Sequence, residues 1–229
     1  MMNYLSFFLK KLWLWVKRFF ILSIVSVLLF RFIPLPITPT MLYFLGEQAL
    51  DSKRDIVLKK DWESLSNISP NMRLAVIGSE DQLFYDHFGF DLTAIKKAIR
   101  NNEKGRRLKG GSTISQQTAK NAFLLPHRNY FRKGLEAYFT LLIELLWSKE
   151  RIIEVYLNVI EFGNGIYGVE AASQQYFKKP ASKLTRGEAA LLAAVLPNPI
   201  RYRVDNPSSY ILRRKNWIKR QMGRISSPE

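Results

Sequence analysis

Four carboxylates, one of the chain's two histidines and four aromatic residues fall within residues 79–91, Ser79-Glu80-Asp81-Gln82-Leu83-Phe84-Tyr85-Asp86-His87-Phe88-Gly89-Phe90-Asp91. A carboxylate fixed in place can take a proton from a hydroxyl that is otherwise a poor nucleophile. Just upstream, Met72, Leu74, Ala75, Val76 and Ile77 read as an apolar helix, with Ser69 able to cap it and Pro70 suited to its first position. That helix delivers Glu80 and Asp81 at its C-terminal end, where the dipole is negative. A carboxylate there, beside apolar groups, is expected to bind its proton more tightly, which suits a proton acceptor. The same residues also fit a solvated acidic turn, so this stretch alone leaves both readings open.

Three further stretches carry catalytic-type side chains. In Gly110-Gly111-Ser112-Thr113-Ile114-Ser115-Gln116-Gln117-Thr118-Ala119-Lys120-Asn121, two glycines precede a helix expected to be capped by Ser112. Free amides at such a start are an anion site, Gln116 and Gln117 add groups able to hold sugar hydroxyls, and Lys120 adds positive charge. In Arg128-Asn129-Tyr130-Phe131-Arg132-Lys133-Gly134-Leu135-Glu136, Arg132 and Glu136 share one helix face and Arg128 precedes the helix, free to reach a ligand. In the stretch from Tyr156 to Gly168, Gly163, Gly165 and Gly168 stand among Asn and aromatic residues. They suggest a tight loop close to a ligand or another backbone. Each stretch has a plain structural reading as well: a polar helix start, a surface ion pair and a turn.

The elements that must hold these residues read as helix after helix. Expected helices run from about Leu92 to Arg100 with Asp91 as cap, after Ser112, from Tyr130 to Trp147, and from Ser148 to about Val159. Thr185-Arg186-Gly187-Glu188 is a capping box opening the run Ala189 to Val195, and Asn206-Pro207 opens a final basic helix. Alternating runs are few, so little β structure is expected. Residues 101–111 form a polar, glycine-bearing loop.

The 229 residues suffice for one domain plus an anchor, and 47% are hydrophobic, enough for a real core. A formal net charge of +16 implies polyanionic company: nucleic acid, anionic lipid or a phosphorylated substrate. The absence of cysteine excludes disulfides and thiolate metal sites. Residues 12–37 carry the strongest segment signal. Phe19 to Phe30 is uncharged, and a helix from Phe19 to Pro36 would nearly cross the hydrocarbon, with only Arg31 to snorkel. Trp13 and Trp15 sit where an interfacial belt would be, and Lys10, Lys11, Lys17 and Arg18 place the N-terminus in the cytoplasm. Pro34 and Pro36 close the run in place of a small-residue cleavage site, so a retained anchor is expected rather than a cleaved signal peptide. The expected organisation is a cytoplasmic stub and anchor over 1–37, a juxtamembrane segment over 38–60 and a catalytic domain over 61–229. Within 38–60, Met41-Leu42-Tyr43-Phe44-Leu45 fits against either the membrane or the domain.

The order Glu80-Asp81-x-x-Phe84-x-x-His87-x-Gly89-x-Asp91, then Gly111-Ser112-Thr113-Ile114-x-Gln116-Gln117-x-x-Lys120-Asn121, Arg132-Lys133-x-x-Glu136, Tyr156-Leu157-Asn158 and Ala189 to Pro197 resembles glycosyltransferase family 51, the peptidoglycan glycosyltransferases. The resemblance spans roughly residues 60–205, and with one anchor the chain resembles the monofunctional biosynthetic members. No serine has lysine three residues on, so a transpeptidase domain is not expected. The resemblance implies a mainly α, lysozyme-like domain with a single N-terminal transmembrane helix. It also implies polymerisation of lipid II into β-1,4 glycan with release of undecaprenyl pyrophosphate. Glu80 would be the general base and Glu136 the second carboxylate. Lys120, Arg128 and the hydroxyl of Ser112 would stabilise the leaving pyrophosphate. Asp81, Gln117 and Arg132 would support them, Lys97 falls where the family often has a basic residue near the donor, and His87 braces the loop.

The implied partners are lipid II, the growing glycan, the membrane and cell-wall synthesis or division proteins, with no nucleic acid. The implied place is the bacterial inner membrane with the catalytic domain on the periplasmic side. Whether Lys120 and Arg128 replace a divalent ion, magnesium or manganese, or share its role stays open, and no metal-ligand spacing or other cofactor is visible. Two alternatives compete. A lysozyme-like lytic enzyme needs one glutamate acid but no cationic set. A membrane-anchored scaffold or nucleic-acid binder is suggested by charge alone, but the final helix has only Trp217 among its cations and is read as facing anionic lipid or partners.

Overall fold

A computed structural model describes residues 2–51, 55–93, 96, 111–127 and 129–225. The chain divides into two compact units, Met1–Pro34 and Leu35–Glu229. The first contains one helix, α1 (Met2–Phe30). Its stretch Ser6–Phe30, mean hydropathy 1.9, is long and apolar enough to cross a membrane and is 11% buried. The helix starts earlier and stops earlier than expected: Lys10, Lys11, Lys17 and Arg18 lie within it, and Arg31 to Pro36 lie beyond it. Proline at 34 and 36 disfavours helix at the residues before it and removes amides the ladder needs.

The second unit is mainly helical. Its described helices are α2 (Pro39–Leu50), α3 (Pro70–Glu80), α4 (Ile114–Phe123), α5 (Tyr130–Leu146), α6 (Lys149–Val159), α7 (Val169–Phe177), α8 (Arg186–Val195) and α9 (Ser209–Met222), with 3-10 turns at Leu65–Asn67 and Ala181–Lys183. Local chemistry sets most of the ends. Ser69 caps α3 with Pro70 in its first turn, Ser148 caps α6, and the Thr185–Glu188 capping box opens α8. Three starts differ from expectation. Thr113, not Ser112, caps α4, in a box with Gln116. The basic helix α9 begins at Ser209 with Ser208 as its cap, because proline at 207 stands outside the hydrogen-bonded ladder. Residues 38–60 contain a full helix, α2, capped by Thr38. The expected helix from Leu92 to Arg100, with Lys97 on it, and the loop 101–110 lie for the most part outside the described residues, as does Arg128.

The core gathers on α6 and α8. Ile152, Ile153, Val155, Tyr156 and Leu157 are fully buried on α6, and every residue from Ala189 to Val195 is buried on α8, as fits helices covered on all sides. Helix α4 packs on α5 and α6, while α8 packs on α3 and α9. Helix α2 packs on α4, with Met41 buried and the Thr40 hydroxyl donating to the Leu124 carbonyl at 2.8 Å, while Leu42 stays exposed.

A small sheet of order β1-β3-β2 closes one side. Strand β1 (Lys59–Lys60) runs parallel to β3 (Ile166–Tyr167), and β2 (Glu161–Gly163) runs antiparallel to it. The glycine-rich stretch is therefore a hairpin that approaches another backbone. Gly165 has φ +68, its carbonyl accepts the Lys59 amide at 2.8 Å, and a Cβ there would stand 2.1 Å from the Val57 carbonyl oxygen. Gly165→Ala is expected to cost about 3 kcal/mol, from a left-handed backbone and a clash with main chain. In thermal unfolding that is a fall of roughly 5–10 °C in Tm; an unchanged Tm would contradict the close approach.

Candidate active site

The acidic loop after α3 is held rigidly on every side. Asp81 is the C-cap of α3; its Oδ1 lies 2.9 Å from His87 Nε2 and its Oδ2 accepts the Ile114 amide at 2.9 Å. Phe84 is fully buried, with the Lys149 ammonium 4.6 Å from its ring centre. That ammonium also donates to the His87 carbonyl at 2.7 Å and pairs with Glu144 at 2.8 Å. Thr113 Oγ1 donates to the Gly89 carbonyl at 2.7 Å, and Gly89, at φ +75, sits where a Cβ would meet Thr140. His87 thus braces the loop, and the whole framework fixes the residue just before it, Glu80.

Glu80 ends α3 with its side chain 15% exposed. Its Oε2 accepts from Gln117 Nε2 at 3.1 Å, and its Oε1 lies 3.4 Å from Arg214 Nη2 and 3.4 Å from the Ser79 hydroxyl. Gln117 is in turn reached by the Tyr156 hydroxyl at 3.4 Å. Tyr156 is fully buried, and burial, with the charges of Glu80 and Asp81 adding to it, pushes its phenol well up, so it stays a neutral donor. Gln117 is therefore a support for Glu80. Gln116, expected to hold sugar hydroxyls, is buried at the cavity lining, and its Oε1 accepts the Thr113 amide in the capping box.

At the start of α4, three of the amides expected to be free are already engaged. The Ile114 amide goes to Asp81, the Thr113 amide to Gln116 Oε1, and the Gln116 amide to Thr113 Oγ1. Amides so engaged, one by Asp81 and two within the capping box, are not available to an anion at those positions.

Positive charge comes instead from side chains around a cavity of about 530 Å³, whose lining includes Ser112, Gln117, Lys120, Arg132, Lys133 and Glu136. Glu136, buried on α5, pairs with Arg132 at 2.7 Å, one turn away, and with Lys133. Lys120, three residues beyond Gln117 on α4, is deeply set; burial lowers its pKa, Glu136 and Glu80 raise it, and Arg132 and Lys133 lower it further. Three described cations against two lining carboxylates, Glu136 and Glu161, leave the wall positive and suited to an anion. Glu80 stands beside this cavity, joined to it through Gln117.

The structure thus brings Glu80, Asp81, Gln117, Lys120, Arg132, Glu136 and, at the cavity lining, Ser112 into one region. Lys97 and Arg128 lie outside the described residues. Two residues escaped the sequence reading. Arg214 looked like one cation among several on a surface helix, yet it turns inward to Glu80 while Arg213, Lys219 and Arg220 stay exposed. Glu161 carried a signal, a lone carboxylate in an apolar, glycine-rich stretch. It lines the cavity, and burial pushes its carboxyl up to about 7.

A family model described as transglycosylase matches residues 48–223. The chain is 53% identical over 220 residues to the biosynthetic peptidoglycan transglycosylase of Haemophilus influenzae, covering 95% of this chain and 89% of that one. It is 52% identical over 221 residues to the protein of the same description from Shewanella oneidensis, covering 94% and 93%. To that of Bdellovibrio bacteriovorus it is 53% identical over 203 residues, covering 89% and 81%. With its lysozyme-like helical domain, its single N-terminal apolar helix and likeness along nearly its whole length, this chain belongs to the transglycosylase family, among the biosynthetic peptidoglycan transglycosylases, and is a glycosyl-transferring enzyme.

Proposed function

We propose that this protein polymerises lipid II into β-1,4 glycan strands for cell-wall synthesis, with undecaprenyl pyrophosphate as the leaving group. Glu80 takes the proton from the sugar 4-hydroxyl of the incoming lipid II. The freed oxygen attacks the anomeric carbon of the growing chain. The bond to the pyrophosphate oxygen breaks with its electron pair, and the configuration inverts. Lys120 meets the growing negative charge, together with Arg128 and the Ser112 hydroxyl. Glu136 orients Arg132 and Lys133 at the same wall. Asp81 and Gln117 hold Glu80 and its loop in place, and Lys97 acts near the donor.

The observation that carries this reading is that Lys120, Glu136 and Gln117 line one cavity, and that Gln117 is hydrogen-bonded to Glu80 beside it. A proton acceptor and a buried cation within one bound substrate's reach is the arrangement that displacement of a diphosphate needs. A lytic enzyme has no use for the cations. Among the described residues no three His, Asp or Glu side chains gather into a metal-binding cluster. Glu136 is held by two cations, Arg132 and Lys133.

The apolar helix α1 fits a single-pass anchor in the inner membrane. The substrate is itself a membrane-bound pyrophosphate, so the catalytic unit works at the outer, periplasmic surface. There the exposed cations of α9 face anionic lipid or cell-wall synthesis and division partners. Full-length protein in detergent, given labelled lipid II, is expected to produce glycan polymer. Fragments released from finished wall, with no polymer from lipid II, would replace this reading with the lytic one.

A further inference from the structure

The two oxygens of Glu80 are tethered by different helices. Gln117 on α4 holds Oε2 at 3.1 Å, while Arg214 on α9 brings its Nη2 to 3.4 Å from Oε1. The inward direction of Arg214 follows from its place on α9. It stands three residues after Ile211 and four before Ile218, on the stripe where Ile211, Ile218, Gln221 and Met222 are buried. Helix α9 is closely set against α3 on both sides of Glu80. A Cβ at Gly78 would stand 3.1 Å from Ile225 Cδ1 and 3.3 Å from Gln221 Cβ, and Gln82 Nε2 lies 3.4 Å from Gln221 Oε1. A guanidinium on such a stripe is costly to the fold. Arg214 is 22% exposed, its Nε is buried with no partner among the described residues, and its ion pair there is with Glu80.

We propose that Arg214 is a positioning residue for the transfer reaction, holding Glu80 Oε1 so that Oε2 faces the hydroxyl entering the cavity. The proposal rests on the reading of Glu80 as the proton acceptor. The terminal torsion of a glutamate is soft, so a carboxylate held by one oxygen swings about it. A second tether fixes its direction, and a misplacement of about 1 Å costs roughly a hundredfold in rate. The other groups around Glu80 do not supply that tether. Gln117, Ser79 and the buried Tyr156 are neutral. Lys120 is charged but belongs to the cavity wall with Glu136. Asp81 has the same sign as Glu80 and is engaged by His87 and the Ile114 amide. Arginine keeps its charge at every pH the enzyme meets, and its planar fork restrains direction as well as charge.

The test measures turnover of labelled lipid II by the full chain in detergent. Arg214→Met and Arg214→Lys are each made in the parent and in Glu80→Gln. Arg214→Met is expected to lower kcat about thirtyfold, with KM within about threefold of the parent. Arg214→Lys, which keeps the charge and loses the fork, should fall between the two, and it carries the same comparison where Arg214→Met does not fold. In Glu80→Gln, whose residual rate is followed over hours, either replacement should cost less than about twofold, since no base is left to position. A merely structural arginine would lower both backgrounds by the same factor.

Arg214→Met at the parent's kcat, equal losses in the two backgrounds, or a loss carried by KM overturns the positioning role. A slow Glu80→Gln beside a parent-like Arg214→Met refutes this proposal alone. Polymerisation by Glu80→Gln at the parent rate refutes the reading of Glu80 itself, and the proposal with it.

Discussion

Glu80→Gln is expected to slow glycan polymerisation by about a thousandfold, within the range a positioned general base supplies. The substitution keeps the side chain's shape and one oxygen, so the bond from Gln117 Nε2 survives. What disappears is the capacity to hold the hydroxyl proton as the new bond forms. Binding of lipid II should change little, because binding energy comes from the sugar and diphosphate contacts. The effect should therefore appear in kcat, with a dissociation constant near that of the parent. Arg214 makes the choice of glutamine over alanine important. Its Nη2 lies 3.4 Å from Glu80 and its Nε is buried without a partner among the described residues. Alanine would leave that guanidinium facing a void, and lost activity would then mix with lost packing. Polymer from labelled lipid II, measured beside equilibrium binding, decides the matter. Polymerisation by Glu80→Gln at the parent rate would remove Glu80 from the role of base.

Lys120→Met should reduce turnover by roughly a hundredfold or more, the scale of removing a preorganised partner of developing charge. Methionine replaces the aliphatic stem, so the loss reports the ammonium rather than a cavity. The fold should tolerate the change, because Glu136 keeps Arg132 and Lys133 as counter-charges. The pH profile gives an independent check. Burial lowers the Lys120 pKa, and Arg132 and Lys133 push the same way against Glu136 and Glu80. The charged form is thus lost, as pH rises, earlier than for an ordinary lysine, and the parent's rate should fall on that alkaline limb. Lys120→Arg keeps its charge throughout and should move the limb upward. If Lys120→Met matches the parent, or Lys120→Arg leaves the limb in place, the departing diphosphate is met by some other group.

The two predictions divide the reaction between its halves, proton removal at the end of α3 and charge capture on α4. These halves belong to helices far apart in sequence. They are locked together by the Gln117 bond to Glu80 and the Asp81 bond to the Ile114 amide, which spans 33 residues. A change at either lock should act on both halves at once, whereas Glu80 and Lys120 separate them.

What the amino-acid order determined by itself was what short-range chemistry can encode. The stops and starts of α5 and α6, the Ser69 cap with its proline, and the Thr185–Glu188 box are written in contacts of three or four residues. The Arg132–Glu136 pair one helical turn apart is of the same kind. The motif series likewise named Glu80, Lys120 and Glu136, because spaced residues of chemical type survive as a linear pattern.

Tertiary structure decided the rest. Ser112 and Thr113 are equally able to cap α4; the choice falls on Thr113, whose hydroxyl also donates to the Gly89 carbonyl. The Ile114 amide, which looks free at a helix start, is consumed by a carboxylate 33 residues away. Arg214, 134 residues from Glu80, is like its neighbours in composition and differs only in the direction α9 turns it. Glu161 is an ordinary glutamate until the hairpin buries it in the cavity wall. Periodicity and capping report the backbone's local state; which charges meet, and how far water is kept from them, follows from packing among segments that the linear pattern does not connect.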